Sequence, residues 1–261
     1  MHPPQTPLVL LADPHCPPLR ANALAGALGI PLVTEPRGQS LVLRLTSERL
    51  ELHKPDDPEL PGTLWVDFER PAARRRHLHP GRELLVQAVK VRHTPSPLVI
   101  DATAGLGRDG FLLAAAGCRV LMFENNPIVA ALLRDGLERA ARSPLTAAIA
   151  ARIQLTVGNA LEFLPRLDEQ PEVVYLDPMF PERSKSAKVK QDLQLLRLLD
   201  RHNEDPEQLL QAALAMQAKK VVVKRPLKGP LLLGLPPSYM LKGKAVRFDV
   251  YVGRMKGTAA G

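Results

Sequence analysis

The chain has 261 residues, of which 45% are hydrophobic, and this is enough for one large α/β domain or for a core domain with a small appendage. The formal net charge of +8 fits a polyanionic partner such as RNA or DNA, although many enzymes that bind no nucleic acid are equally basic. Aromatic residues make up only 4%, which disfavours a broad surface for base stacking. The two cysteines, Cys16 and Cys118, lack metal-ligand spacing, and neither a signal peptide nor a membrane-spanning run is indicated. We therefore expect a reduced, cytoplasmic protein with no bound metal and no membrane contact.

Residues 1–75 predict a small α/β domain without a catalytic signature. Its predicted elements are strands at 7–13, 31–34 and 64–68, a helix at 19–28, and a hairpin of strands 40–46 and 49–53. The segment RPAARRRHLHPGR at 70–82 holds the densest positive cluster and is predicted to link this domain to the next. Arg74, Arg75 and Arg76 are either contacts to an RNA backbone or charges of a solvated linker. We interpret the domain as a lid or as an appendage that docks substrate.

Residues 76–261 alternate apolar strands with helices, which is typical of a doubly wound, mostly parallel sheet. The predicted strands lie at 98–100, 120–123, 153–157, 172–177 and 220–224, with two closing strands within 238–252. The predicted helices lie at 83–91, 111–116, 127–142, 160–167, 189–199 and 206–217. The fold class is therefore α/β, with a Rossmann-like domain that follows the small N-terminal one.

The first βαβ unit of that domain, residues 98–124, has the features of a nucleoside site. Gly105 and Gly107 follow the first strand, let the backbone turn sharply and let a ligand lie against it. Glu124 ends the next strand, 19 residues after Gly105, which suits an acid that binds both ribose hydroxyls. Asp101 ends the first strand, and its carboxylate suits a cationic ligand such as S-adenosylmethionine better than the pyrophosphate of NAD. NAD, or a turn that binds no ligand, remains an alternative at this point.

A second informative segment, Asp177-Pro178-Met179-Phe180-Pro181, follows the fourth strand. The exocyclic amine of a base is a poor nucleophile because its lone pair is delocalised into the ring. Asp177 and the Pro178 carbonyl can accept its two N–H bonds and aim the lone pair at a methyl group, while Phe180 stacks on the extruded base. Alternatively, Asp177 caps a strand and Phe180 belongs to the core. Because the strand ends of a doubly wound sheet share one edge, this turn and the glycine turn are expected to meet there.

The two turns, together with ENNPIVAALLRDGL, KKVVVKRP and RFDVYVG, resemble the bacterial small-subunit ribosomal RNA guanine-N2 methyltransferases of the J type over about residues 50–253. The resemblance implies a class I, Rossmann-like enzyme that transfers methyl from S-adenosylmethionine to N2 of one guanosine in 16S rRNA. Its partner would be 16S rRNA or the small ribosomal subunit. By position, the resemblance implies donor contacts at Arg108, Asp109, Glu124, Asn125, Asn159, Ala160 and Asp177. Asn125 replaces an arginine that is frequent in the family, and Asn159-Ala160 replaces a serine pair. Asn159 can bond the adenine edge or cap the following helix.

Basic residues after the later strands complete the set of candidates. Lys185 and Lys188 follow the Asp177 turn and are candidate RNA contacts. Lys224 and Arg225 lie at the tip of the fifth strand and are expected to meet either RNA phosphate or solvent. Three other functions stay open: an amino-methyltransferase acting on DNA or tRNA, an NAD-dependent oxidoreductase, and a non-catalytic RNA-binding module. The oxidoreductase is disfavoured because no catalytic His or Tyr constellation accompanies the glycine turn.

Overall fold

The computed structural model describes residues 7–36, 41–55, 57–60, 62–178, 187–199 and 205–253. These residues divide into two compact units. The first is built from the described parts of 1–67, 126–137 and 183–201, and the second from the described remainder of the chain. The domain boundary predicted at residue 75 falls within a helix of the second unit.

The first unit contains a small sheet and one helix at its start. These elements are β1 Leu8–Ala12, α1 Pro18–Leu28, β2 Leu32–Val33, β3 Leu41–Leu45 and β4 Leu50–His53. The sheet order is β2-β1-β3-β4, with β1 parallel to β2 and β3, and β3 and β4 form the predicted antiparallel hairpin. The strand predicted at 64–68 is wrong, because only Leu64 forms a bridge, to Leu52. Leu64, Val66 and Phe68 are each at most 4% exposed. The alternating apolar pattern therefore indicated which side chains are buried, but not a strand.

The remaining strands all belong to the second unit. They are β5 Leu98–Asp101, β6 Arg119–Glu124, β7 Ile153–Val157, β8 Val173–Leu176, β9 Lys220–Pro226, β10 Tyr239–Lys242 and β11 Val246–Val252. The remaining helices are α2 Pro71–Leu78, α3 Leu84–Val89, α4 Arg108–Ala115, α5 Pro127–Arg142, α6 Ala147–Ala150, α7 Ala160–Phe163, α8 Ala187–Leu199 and α9 Pro206–Ala215. Helix α8 and residues 127–137 of α5 belong to the first unit. No helix in the described part of the chain is long and apolar enough to cross a membrane.

The large sheet confirms the predicted doubly wound architecture. Its order is β10-β11-β9-β8-β5-β6-β7. The five strands from β7 to β9 are parallel, and β11 runs antiparallel to both β9 and β10. The chain enters the sheet at β5, adds β6 and β7 on one side, and then places β8 on the other. In such sheets, ligands bind outside the carboxyl ends of the strands where the order reverses, which here is between β5 and β8.

One face of this sheet packs against α9 through an apolar cluster. The cluster contains Leu209, Leu210 and Ala213 of α9 and Ile100, Val174, Leu176 and Val223 of three adjacent strands, each at most 1% exposed. Burial of one large aliphatic side chain stabilises the fold by about 1.5–3 kcal/mol. Strands β5, β8 and β9 are therefore anchored to α9.

Three helices differ from the sequence prediction: α2 and α6 were not predicted, and α7 is shorter than predicted. The segment predicted as a linker forms α2, because Pro71 stands at a first-turn position that tolerates proline, and alanine and arginine are strong helix formers. The helix predicted at 160–167 ends at Phe163 and continues as a 3-10 turn over Leu164–Arg166. Pro165 explains this change, since its ring clashes with the carbonyl one turn back and it has no amide hydrogen for the α-helical pattern.

Candidate active site

Three acidic residues lie at the same edge of the large sheet. Asp101 is the last residue of β5, Glu124 is the last residue of β6, and Asp177 follows β8. Because β6, β5 and β8 are adjacent and parallel, their carboxyl ends meet at this edge. The prediction that the glycine turn and the Asp177 turn share one edge is confirmed. The same edge contains the position where the strand order reverses.

The loop between β5 and α4 turns through two glycines with a left-handed backbone. The φ angles are 54° at Gly105 and 71° at Gly107, and glycine adopts such values without steric cost. The Ala104 amide donates to the Phe123 carbonyl at 2.9 Å, and the Gly107 amide donates to the Ala104 carbonyl at 2.8 Å. Helix α4 begins directly after this turn, so the partial positive charge of its first amides lies beside the loop.

Glu124 is held against this glycine turn. Its Oε2 accepts a hydrogen bond of 2.7 Å from the Gly105 amide. A Cβ atom added at Gly105 would meet no atom within 4 Å, so there is open space beside the turn. A nucleoside in this space would reach both the backbone and the carboxylate, which has enough lone pairs to accept from two ribose hydroxyls as well. The turn and Glu124 therefore fit the adenosyl part of S-adenosylmethionine.

Asp101 lies beneath the turn and is almost fully enclosed. It is 1% exposed, and its Oδ1 accepts a hydrogen bond of 3.3 Å from the Thr103 amide. Burial, with a further contribution from the negative charge of Asp109, raises the pKa of Asp101 to about 8. The carboxyl group is therefore mostly protonated at neutral pH. The negative charge that was expected to suit a cationic ligand is therefore mostly absent, and a direct contact of Asp101 with S-adenosylmethionine stays a prediction.

An ion-pair cluster connects Asp177 to the interior of the second unit. Lys224 Nζ lies 2.7 Å from Asp177 Oδ2 and 2.8 Å from Asp109 Oδ2. The Tyr175 hydroxyl donates to the same Asp109 oxygen at 2.8 Å, and Arg76 Nη2 lies 3.5 Å from the other. The Asp109 and Lys224 side chains are only 16% and 25% exposed. Asp109 was predicted to contact S-adenosylmethionine, but its carboxylate is already paired with Lys224, Tyr175 and Arg76 of the protein itself.

The protonation states of the cluster follow from burial and from these contacts. Burial raises the pKa of Asp109, but the charge and hydrogen bond of Lys224, aided by Arg76, outweigh burial and lower it. Burial lowers the pKa of Lys224, but Asp109 and Asp177 together raise it above its ordinary value. Burial and the charge of Asp109 raise the pKa of Tyr175, so its hydroxyl keeps the proton that it donates. At neutral pH, a cationic Lys224 therefore lies between Asp109 and Asp177.

The other residues predicted to contact S-adenosylmethionine lie around the same strand ends. Arg108 is exposed at the start of α4, Asn125 is half-buried directly after β6, and Ala160 is buried at the start of α7. Asn159 Oδ1 accepts a hydrogen bond of 2.9 Å from the Leu161 amide. The alternative that Asn159 caps a helix is therefore confirmed, and its contact with adenine stays a prediction.

The arginines of α2 separate into two kinds. Arg74 and Arg75 are exposed, as an RNA contact requires. Arg76 is half-buried, and its Nη2 lies 3.1 Å from Glu83 Oε2 in addition to its contact with the cluster. Contact of Arg74 and Arg75 with RNA stays a prediction, whereas Arg76 is paired within the protein.

Two basic residues at the tip of β9, Lys224 and Arg225, were expected to meet either RNA phosphate or solvent, but both are engaged within the protein. Lys224 belongs to the cluster. Arg225 is 2% exposed and donates from Nη2 to the Pro230 carbonyl at 2.7 Å, so the prediction that it contacts phosphate from the surface is wrong. Because successive side chains point to opposite faces of a strand, these neighbours enter different surroundings. Burial, together with the nearby charge of Arg247, also lowers the pKa of Arg225.

The Asp177 turn is described only at its start. The Asp177 amide donates to Thr103 Oγ1 at 2.7 Å, which ties this turn to the glycine loop, and Pro178 is buried. The predicted residues Phe180 and Lys185, and the side chain of Lys188 in α8, lie outside the described residues. Sequence reasoning missed Thr103 and Tyr175. The hydroxyl of Tyr175, within the otherwise apolar strand β8, was the signal that could have identified the latter.

Residues 28–253 match the family model described as a putative SAM-dependent methyltransferase. The ribosomal RNA small subunit methyltransferase J of Thioalkalivibrio sulfidiphilus is 47% identical to this chain, over 89% of this chain and 92% of its own. The protein of the same name from Pseudomonas aeruginosa (strain UCBPP-PA14) is 47% identical over 88% and 89% of the two chains. This chain belongs to the ribosomal RNA small subunit methyltransferase J family.

The structural comparison supports the same assignment for this member of the J family. A SAM-dependent methyltransferase from Neisseria gonorrhoeae, known from a crystal structure, is 38% identical to this chain. The two structures match over 94% of this chain and 96% of the other chain, with a TM-score of 0.75. The predicted class I fold, the predicted family and S-adenosylmethionine as donor are therefore confirmed. S-adenosylmethionine rather than NAD is therefore the cofactor, and its binding at the glycine turn stays a prediction.

Proposed function

We propose that this methyltransferase transfers a methyl group from S-adenosylmethionine to the exocyclic N2 of a guanosine in 16S small-subunit rRNA. One observation carries the proposal: Asp177 lies beside the glycine turn, at the sheet edge where the strand order reverses. An exocyclic amine needs an acceptor of this kind next to the methyl donor. The names of the relatives, which refer to ribosomal RNA of the small subunit, support the choice of acceptor.

The residues of the edge divide the work of binding and orientation. S-adenosylmethionine bound here would supply an electrophilic methyl group, and its sulfur would keep the electron pair of the broken carbon–sulfur bond. Glu124 and the Gly105 turn hold the ribose. Asp177 and the Pro178 carbonyl accept the two N–H bonds of the guanine amine and aim its lone pair at the methyl carbon. As the new N–C bond forms, the nitrogen becomes cationic and loses one proton, which Asp177 accepts and passes to water.

The exposed arginines of α2 supply a contact for the RNA backbone. Arg74 and Arg75 lie in the same unit as the active site, and the guanidinium group suits bidentate binding of phosphate. Replacing either with glutamine should weaken RNA binding and reduce the salt dependence of binding by about one counterion per lost contact. A ribosomal substrate also implies that the enzyme works in the cytoplasm.

The proposed function is tested with rRNA and small subunits from a strain that lacks the gene. We expect the wild-type enzyme to produce N2-methylguanosine, detected by mass spectrometry of nucleosides, and primer extension to locate it. D177A should lower kcat by at least about 100-fold while the Kd of S-adenosylmethionine changes less than about threefold. D168A, which removes an exposed acid of the same unit, is the matched control. Methylation of only tRNA or DNA would overturn the proposed acceptor, and normal methylation by D177A would overturn the role of Asp177.

A further inference from the structure

We propose that Lys224 is a positioning residue that fixes the Asp177 carboxylate in the orientation that receives the guanine amine, and that Asp109 holds Lys224 in place. The inference rests on the proposed function, because it assigns Lys224 a role in the same reaction. It departs from the prediction that Lys224 binds RNA phosphate. It also adds a role beyond the binding of S-adenosylmethionine by Glu124 and of the guanine amine by Asp177.

The strand register brings Lys224 beside Asp177. Strands β8 and β9 are parallel neighbours, and Leu176 pairs with Val223. The residue after Leu176 is Asp177 and the residue after Val223 is Lys224, so these two are neighbours across the strands. The 2.7 Å separation between Lys224 Nζ and Asp177 Oδ2 is that of a short charge-assisted hydrogen bond.

A lysine held by one partner alone would orient little, because its four-carbon stem is flexible. Asp109 provides the second fixed contact, at 2.8 Å from the same Nζ. Asp109 is in turn held by the Tyr175 hydroxyl and by Arg76. The Lys224 ammonium thus has two of its three donors directed at oxygens that belong to different elements, α4 and the end of β8.

The Asp177 side chain needs such a contact more than its backbone does. The bond from its amide to Thr103 fixes the main chain, but this bond does not set the side-chain rotamer. The side chain is 34% exposed, so packing alone constrains it weakly. A misplacement of about 1 Å in a site that aligns a nucleophile can lower the rate about 100-fold. The contact with Lys224 adds a short, directional constraint on this side chain, and the raised pKa of Lys224 keeps the ammonium charged at working pH.

The test compares K224M, K224R and a matched control on the same strand. Lys220 is a half-buried lysine of β9 that donates to the Ala88 and Lys90 carbonyls, outside the cluster, so K220M controls for loss of a lysine from this strand. K224M should lower kcat by about 100-fold, with KM for rRNA and Kd for S-adenosylmethionine within about threefold of wild type. K224R should recover part of kcat because it keeps the charge, and K220M should keep nearly all of it.

Three outcomes would overturn the inference. The first is a wild-type kcat in K224M. The second is a loss of donor affinity that equals the loss of kcat, which would show a structural role only. The third is an unchanged kcat with a higher KM for rRNA and a smaller salt dependence, which would show a phosphate contact.

A crystal structure of K224M separates this inference from the proposed function. We expect the Asp177 carboxylate to leave its present rotamer once Lys224 is absent. An unchanged rotamer would refute the positioning role whichever substrate the enzyme methylates. Conversely, absence of N2-methylguanosine from rRNA treated with the wild-type enzyme would refute the proposed function and leave the rotamer result unaffected.

Discussion

Replacing Glu124 with glutamine separates two contacts of one carboxylate. In the structure, Oε2 accepts from the Gly105 amide at 2.7 Å, and we propose that the carboxylate also accepts from the ribose hydroxyls of the donor. Glutamine keeps one side-chain oxygen, which can still accept from Gly105, but loses the charge and the second acceptor. A hydrogen bond to a charged group contributes about 1.5–3 kcal/mol. We therefore expect E124Q to bind S-adenosylmethionine roughly 10- to 150-fold more weakly than wild type.

Replacement of Glu124 with alanine removes both acceptors. With two such bonds lost, the same reasoning gives about 3–6 kcal/mol, so E124A should bind the donor at least about 100-fold more weakly. E124A also deprives the Gly105 amide of its partner, so the turn itself should loosen. The two variants together measure how much of the affinity comes from the ribose contact.

The assay is isothermal titration calorimetry with S-adenosylmethionine and with S-adenosylhomocysteine. E169Q is the control, because Glu169 is an exposed acid that pairs with Arg119 and precedes β8 rather than following it. Its affinity should equal that of wild type. If E124Q bound the donor within about twofold of wild type, the ribose contact assigned to Glu124 would be refuted.

Asp101, Gly110 and Cys118 give three further predictions, on the pH dependence of stability, on packing and on thiol reactivity. Because the pKa of Asp101 is about 8 in the folded state against an ordinary 3.8, the folded state binds the extra proton between these values and loses stability as pH rises towards 8. D101N should remove up to about 1.4 kcal/mol per pH unit of this dependence in urea unfolding at pH 6 and 8, and an unchanged slope would contradict the assignment. G110A would bring a Cβ to 3.0 Å from Asp101 Oδ2 and against the Met122 side chain, so we expect a loss of about 1–3 kcal/mol in thermal or urea unfolding. The control G26A in α1, whose Cβ meets nothing within 4 Å, should stabilise by about 0.5–1 kcal/mol, and equal effects of the two would argue against tight packing at Gly110. Burial raises the pKa of Cys118 to about 11, so a thiol reagent at pH 8 should label it far more slowly in the native protein than in urea, and rapid native labelling would show that it is accessible.

The acids of the active site could be predicted from sequence because their positions depend on local patterns. An apolar run followed by an acid marks the end of a strand, and glycines at short spacing mark the turn after it. In a parallel sheet all such ends lie at one edge, so Asp101, Glu124 and Asp177 could be placed together without knowledge of their contacts. Local patterns did not show that Asp101 is enclosed and has a raised pKa, since both depend on the packing of the loop above it.

The role of Lys224 could not be predicted in this way. Its partners Asp109 and Asp177 lie 115 and 47 residues away in the sequence, and no periodicity encodes either contact. A lysine at a strand tip more often meets solvent, which is why phosphate binding was the natural expectation. A different signal was present, because several acids at one edge of a sheet require a cation to offset their repulsion.

The misassigned segments show the same limit. The alternation of apolar Leu64, Val66 and Phe68 predicted a strand, yet in this described segment Leu64 alone forms a β-bridge, to Leu52, and the alternation corresponds to burial instead. The arginine-rich segment predicted as a linker forms α2 because helix propensity and the early proline outweigh mutual repulsion of its charges.

The charges at the sheet edge are arranged for a reaction that moves a positive charge without creating one. Methyl transfer removes the charge from sulfur and places it on the amine nitrogen until a proton leaves. Asp101 is mostly neutral at pH 7, and Lys224 offsets Asp109 within the protein. In the proposed mechanism, Glu124 then serves the ribose, and Asp177 serves the nitrogen that becomes cationic. If Lys224 were lost, Arg76 would be the cationic partner left to Asp109 among the described residues, and the repulsion from Asp109 would act directly on Asp177. The reactivity of Asp177 therefore depends on the balance of the whole cluster, and D109N should lower kcat in the same direction as K224M.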